Sequence, residues 1–415
     1  MTESADVVVI GDGLAGRMAA LAAAERTGSV LLVSRSNTSP TIATGTIDVL
    51  GYLPDGTGPI ARPFDHLDAL RSDHPYRIVD EDGLRDALET FDSIVGSDFG
   101  GERSDRNGLV PTQLGTPKPT LRYPKSVEAG LLSRPDDMLL IGFRGLPGID
   151  GEFVASSLSR LDVPSEVRGT NVDLDLARFE QPRLRLARAL DRNERVGKDD
   201  RPIRGVLSES IAERHEDETR IGLPAVLGRE HTSDILSRLE DDLDASVFEY
   251  LTDPPSIAGS RLLDRLDDEL ERRGVERIDG GERIGGPWHI GKGERIDDGE
   301  RTDGGERTGG GETIEGGETT EGGETIDFTA TANTITEIQG ESIPSRVRAD
   351  QFVLATGGLL DGGIVERDGA FVEPVFDLPV DTPGDVTAWT DPDPLASQPF
   401  EKAGIVVDEH FDVMQ

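Results

Sequence analysis

The stretch VVVIGDGLAGRMAA, residues 7–20, constrains the fold more tightly than any other part of the chain. Val7 to Ile10 form an unbroken aliphatic run, as a parallel strand buried on both faces requires. Leu14 to Arg26 is rich in alanine and reads as a helix whose small side chains permit close packing on a sheet. Gly28 ends that helix and SVLLVS (29–34) supplies a second strand, so residues 5–50 read as a tight βαβ unit. The glycines fall where such a unit needs them. Gly11 permits the turn out of the strand, Gly13 leaves room for a phosphate over the helix N-terminus, and Gly16 lets helix and strand approach. Leu14 and Ala15, between those glycines, belong to the same candidate site.

A strand in the position of SVLLVS commonly ends in an acid that binds a ribose 2′-hydroxyl. Here Ser34, Arg35 and Ser36 follow instead, which argues against NAD. Arg35 suits either a 2′-phosphate, as in NADP sites, or a solvated surface. A second signal lies far along the chain. FVLATGG (352–358) is a hydrophobic strand that runs into Ala355, Thr356, Gly357 and Gly358, an arrangement typical of two-domain flavoproteins whose chain re-enters the nucleotide-binding domain. Thr44, Gly45 and Thr46, within TIATGTIDVLGYLPDG (41–56), stand where flavoproteins bring small hydroxyls and backbone amides against the flavin. A plain turn fits those residues equally well.

The expected fold is therefore α/β: a Rossmann-like FAD/NAD(P)-binding flavoprotein fold with an inserted mixed α/β second domain. The nucleotide-binding part is expected over 1–55, 253–278 and 327–415, and the inserted domain over 56–252. The segment IAGSRLLDRLDDELERRG places Ile257, Leu262, Leu263, Leu266 and Leu270 on one helical stripe, stopped by Gly274. Between 279 and 326 the triplet GGE recurs at 304, 310, 316 and 322, with an earlier copy at 280. Glycine and glutamate bury too little apolar surface to offset the entropy of ordering them, so this insertion is expected to be disordered.

Composition narrows the function. The sequence holds 43 Lys+Arg against 81 Asp+Glu, a formal net charge of −38, spread along the chain. Only five of the cations are lysines: Lys118, Lys125, Lys198, Lys292 and Lys402. Such a charge disfavours nucleic acid and anionic membranes as direct partners and suits a high-salt cytoplasm, where repulsion is screened. The absence of cysteine excludes disulfides, thiolate-bound zinc and cysteine-ligated iron–sulfur clusters within this sequence. No apolar run approaches the ~20 residues of a membrane span, and MTESADVVVI lacks the basic region of a secretory signal. The six histidines show no metal spacing, no nucleophilic triad is visible, and no catalytic residue is singled out.

The blocks VVVIGDGLAG, ATGTIDVLGYLPDG, HPY (74–76), PTQLGTPKPT (111–120), LIGFRGL (140–146), LPAVLG (223–228), PPSIAGSRLL (254–263) and FVLATGGLLDGGIVERDG occur in an order that resembles the B subunit of anaerobic glycerol-3-phosphate dehydrogenase. The resemblance runs from residue 6 to about 412, interrupted near 279–326. In the family a further segment that closes over the flavin follows the stretch matching GIVVDEHF (404–411). The resemblance implies a flavoprotein-like protein carrying FMN, with FAD as the alternative. It implies two partners of the same complex: a catalytic A subunit carrying FAD, and an iron–sulfur C subunit that docks at the membrane and passes electrons to quinone. On that reading the chain is cytoplasmic and meets the membrane only through a partner. Two other functions fit the residues: a non-catalytic scaffold of the same complex, and a stand-alone NADPH-dependent oxidoreductase that uses Arg35.

Overall fold

The computed structural model describes residues 2–34, 43–72, 74–174, 182–197, 199–279, 313–316, 326–331, 334–340, 343–358, 363–367, 370–376, 378–383, 389–390, 399–408 and 413. The chain divides into two compact units, Met1–Ser39 with Leu266–Gln415, and Pro40–Arg265.

The first unit begins with strand β1 (Thr2–Ile10), helix α1 (Leu14–Ala24) and strand β2 (Val30–Ser34). β1 and β2 pair in parallel, Val7 opposite Val30 and Ile10 opposite Val33. Asp6 fixes the turn between them: its carboxylate accepts the N–H groups of Gly28 and Ser29, each at 3.0 Å. The strand Glu276–Asp279 adds in parallel to the free side of β2, and the strand Ile343–Leu354 adds in parallel to the other side of β1. Beyond it the sheet continues antiparallel through Thr334–Gly340, Ile326–Thr331 and Thr313–Gly316. The result is a seven-stranded Rossmann-like sheet whose parallel half carries the glycine turns.

The burial follows the sequence pattern. Val8, Ile10, Leu31, Val33 and Val347 share one face with Val375 and Phe376. The alternate residues Val7, Val9, Val30 and Leu32 are buried too, and α1 packs along both β1 and β2. Each such aliphatic side chain removed from water contributes about 1.5–3 kcal/mol. The Gly/Glu-rich stretch contains one described strand, Thr313–Gly316, paired with Ile326–Thr331; its other residues before Ile326 lie outside the described set.

The second unit contains a four-stranded sheet, all parallel. In chain order its strands are Met138–Arg144, Val167–Asp173, Arg220–Pro224 and Ser246–Tyr250. In space the fourth lies beside the third, the third beside the first, and the first beside the second. Helices Gly151–Leu158, Pro182–Arg192, Ile203–Ala212 and Thr232–Leu243 join these strands and share their core. A separate hairpin, Gly108–Pro111 with Pro117–Thr120, sets Val110 opposite Lys118. The helix Ile257–Arg272 follows the predicted stripe, with Leu262, Leu266 and Leu270 buried. Gly274 at φ +71° ends it, and the Val275 N–H reaches back to the Leu270 carbonyl at 3.0 Å.

Candidate functional site

In the first unit the structure brings the two predicted glycine turns together. Ile10 stands opposite Leu354 in the parallel ladder, so β1 and the strand Ile343–Leu354 end side by side. The Gly11 N–H donates to the Val33 carbonyl at 2.9 Å, and the Ala355 N–H donates to the Ile10 carbonyl at 2.8 Å. Gly11 has φ +107°, and a Cβ there would lie 2.3 Å from the Ala355 carbonyl oxygen. A Cβ on Gly16 would stand 1.7 Å from the Gly11 oxygen. Both glycines are thus required by the backbone itself.

Gly13 differs. It caps α1 with φ −66°, is exposed, and a Cβ there would meet no atom within 4 Å. Its own turn therefore does not need a glycine; the space above it does. Leu14, Ala15 and Gly16 place no carboxylate in the first turn of α1, so the positive end of the helix is not neutralised from there. In the adjoining turn, Gly357 adopts φ +87°, and a Cβ on Gly358 would likewise meet nothing within 4 Å. Ala355 and Thr356 form the wall against which Gly11 rests. A cradle kept clear by glycine over a helix N-terminus, with no charge requirement of its own, fits the phosphate of a bound flavin nucleotide.

An ion network holds the start of α1. Arg17, almost fully buried, grips Asp267 through Nε at 2.7 Å and Nη2 at 3.2 Å, and lies 3.8 Å from Asp12 in the glycine turn. Arg277 reaches the same Asp267 carboxylate at 3.0 Å. Ser34 is the last residue of β2, opposite Asp279 in register. Arg35 lies outside the described residues.

Thr44, Gly45 and Thr46 belong to the second unit. Gly45 has φ +84°, and a Cβ there would sit 2.7 Å from the Ala258 backbone, so the loop lies directly on the start of the helix Ile257–Arg272. The two threonine hydroxyls are 3.0 Å apart, and Lys118 Nζ donates to both, at 3.1 and 2.7 Å. Its third contact is Asp48 at 2.9 Å. An ammonium has three donors, and here all three are spent within the protein. Lys118 is a clamp on this loop. Sequence reasoning did not select it, although a lysine in a chain whose cations are nearly all arginine was a usable signal. A compact three-donor ammonium fits three converging oxygens, which a planar guanidinium does not. Nearby, Tyr76 donates to the Asp48 carbonyl at 3.4 Å; burial, with the Asp48 charge, pushes its phenol above the usual range.

Among the described residues no cluster of histidines or carboxylates could hold a metal ion, and no helix is long and apolar enough to cross a membrane.

The comparisons with known proteins agree with this geometry. Residues 6–415 match the FAD binding domain family, which sets the class of protein. The chain is 38% identical to a Halobacterium salinarum protein named as the probable B subunit of anaerobic glycerol-3-phosphate dehydrogenase, over 99% of this chain and 87% of the relative. It is 26% identical to the B subunit of anaerobic glycerol-3-phosphate dehydrogenase of Pectobacterium atrosepticum, covering 98% of this chain and 87% of that one. The Vibrio cholerae protein of the same name is also 26% identical, with 98% and 86% covered. The chain belongs to the B-subunit family of anaerobic glycerol-3-phosphate dehydrogenase. Its relatives are named as one subunit of a larger enzyme.

Proposed function

We propose that this chain is the flavoprotein B subunit of an anaerobic, quinone-linked glycerol-3-phosphate dehydrogenase. The complex would oxidise sn-glycerol 3-phosphate to dihydroxyacetone phosphate, and the electrons would pass through an iron–sulfur partner to quinone. The observation that carries the reading is the open space above Gly13 at the positive end of α1, beside the turn in which Ala355 and Thr356 pack against Gly11. Gly11, Gly13, Leu14, Ala15 and Gly16 would hold the flavin phosphate, with Ala355, Thr356, Gly357 and Gly358 on the facing turn. Thr44, Gly45 and Thr46 stay in the proposed flavin set on the sequence pattern alone; Lys118 holds their loop in shape.

FMN is the proposed flavin. β2 ends in Ser34, so no carboxylate stands at that position to receive an adenosine ribose, and FMN has none to offer. Arg35 has no assigned role in this reading. A bound flavin accepts electrons in pairs and releases them singly, the conversion needed between oxidation of an alcohol and iron–sulfur carriers. The chain has no cysteine to ligate a cluster, so the clusters belong to a partner, and oxidation of substrate is assigned to the FAD-bearing A subunit. Contact with the membrane would come through the iron–sulfur C subunit.

The test is co-expression of the three proteins of the complex and assay of glycerol 3-phosphate oxidation with a soluble quinone. Full activity from a complex in which Gly13→Val has emptied this chain of flavin would overturn the proposal and favour a scaffold role.

A further inference from the structure

The carboxyl ends of the parallel strands in the second unit carry a group of side chains that the flavin reading does not use. In this sheet the first strand, Met138–Arg144, lies between the second and the third, so the chain order reverses beside it. In open parallel sheets, ligands bind outside the carboxyl ends of the strands at such a reversal. The loop leaving that strand contains Gly148, with φ +74°. A Cβ on Gly148 would lie 3.7 Å from Arg183 Nη2 and 3.8 Å from Gln113 Nε2, so this glycine borders both groups.

Arg183 stands at the start of the helix Pro182–Arg192 and is half-buried. It donates to two backbone carbonyls, Asp253 at 2.9 Å and Pro147 at 3.3 Å. Among the described residues no carboxylate lies within ion-pair distance of it, and two bonds leave most of its five N–H groups uncommitted. Burial draws its pKa below the usual arginine range, with the Asp253 charge and Tyr250 opposing.

Gln113 is 4% exposed. Its amide Nε2 donates to Asp253 Oδ2 at 2.5 Å, which fixes the orientation of the amide and leaves Oε1 buried without a partner. Thr252, 3% exposed, also buries its hydroxyl without a partner. The two are neighbours in the fold: Thr112 bridges Leu251, and the Gln113 N–H donates to the Leu251 carbonyl at 2.7 Å. Buried polar atoms are nearly always paired, so the orphaned Oε1 of Gln113, whose side chain shares Gly148 with an arginine that has no ion pair among the described residues, calls for a ligand.

We propose that Arg183, Gln113 and Thr252 form a binding site for a small hydroxylated anion, independent of the flavin. Arg183 takes the negative charge, and Gln113 Oε1 accepts from a hydroxyl of the ligand. Thr252 completes the pairing. The nearby Asp253 carboxylate limits the charge the site tolerates to one, which fits a hydroxy-carboxylate or the singly charged form of a phosphate monoester.

The experiment is calorimetric titration of the full chain with D-glycerate, sn-glycerol 3-phosphate and glycerol at fixed chloride. Saturable binding of an anion, with glycerol silent, is expected. Glycerate binding assigns a carboxylate ligand; glycerol 3-phosphate binding that tightens as pH falls toward its second ionisation assigns the ester. Arg183→Gln should weaken the anion about tenfold or more. Thr252→Val should weaken it about fivefold yet melt no lower than the wild type without ligand, because it removes an orphaned hydroxyl at nearly constant shape. Failure of both anions to bind, or unchanged affinity in Arg183→Gln, overturns the proposal. So does a Thr252→Val protein that loses stability but keeps its affinity. Loss of this site would leave the flavin reading intact, since that reading rests on the glycine turns of the first unit.

Discussion

Two neighbouring glycine-to-alanine substitutions should separate binding from folding. Gly13 caps α1 at φ −66°, a value open to any residue, and a Cβ there meets nothing within 4 Å. Gly13→Ala loses about 0.5–1 kcal/mol at a helix cap and regains about 0.4–1 kcal/mol by restricting the unfolded chain. The flavin-free protein should therefore melt within about 2 °C of the wild type. The new methyl occupies the space proposed for the phosphate. Blocking one charge-assisted hydrogen bond costs about 1.5–3 kcal/mol, which raises the flavin Kd about 10- to 150-fold. Gly16→Ala is the control. Its Cβ would stand 1.7 Å from the Gly11 oxygen, so the backbone must move and folding suffers by about 1–3 kcal/mol or more, along with binding. The assay is a thermal melt without flavin and a flavin-fluorescence titration of each variant. Wild-type flavin affinity in Gly13→Ala would refute the reasoning, as would a Gly13→Ala protein that unfolds as readily as Gly16→Ala.

Three further outcomes follow from the same geometry. Lys118→Met removes the donor shared by Thr44, Thr46 and Asp48 and should lower stability by about 1–3 kcal/mol in urea unfolding. Lys118→Arg should not restore it, and full rescue by arginine would contradict the three-point clamp. Glu269, hydrogen-bonded by Arg272 and Arg273, has its carboxyl held down at about 2 against an ordinary 4.5. A depressed folded pKa gives stability that is complete above about pH 4.5 and fades as pH falls through about 2. Glu269→Gln should thus melt below the wild type at neutral pH, with the gap closing in acid; a pH-independent gap would count against the ion pairs. With a net charge of −38, the chain should lose structure as KCl is withdrawn, because the screening length grows from about 3 Å at 1 M to about 10 Å at 0.1 M. Circular dichroism that stays flat across that range would contradict the self-repulsion argument.

The parts of the fold that depend on neighbouring residues were legible in the sequence. VVVI followed by Gly11, Gly13 and Gly16 specifies strand, turn and helix within one short segment, and the stripe Leu262–Leu266–Leu270 specifies its helix as directly. FVLATGG announced a strand meeting a glycine turn, but only the register Ile10 opposite Leu354 brings that turn against Gly11. Polar assemblies were less legible. Lys118 reaches Thr44 and Thr46 from a hairpin more than 70 residues away. Gln113, Arg183 and Thr252 come from three separate segments whose meeting depends on the order of the second sheet. The strand Thr313–Gly316 had no local signal, since a single apolar residue, Ile314, among threonine, glutamate and glycine makes no alternation; its pairing with Ile326–Thr331 supplies what the segment lacks.

The most direct test is to denature the co-purified complex and identify chromatographically the flavin released, with and without this chain. Including the chain should add about one FMN per complex, and Gly13→Val should remove it. A complex that releases no additional flavin when this chain is present and folded would contradict the claim that it is a flavoprotein.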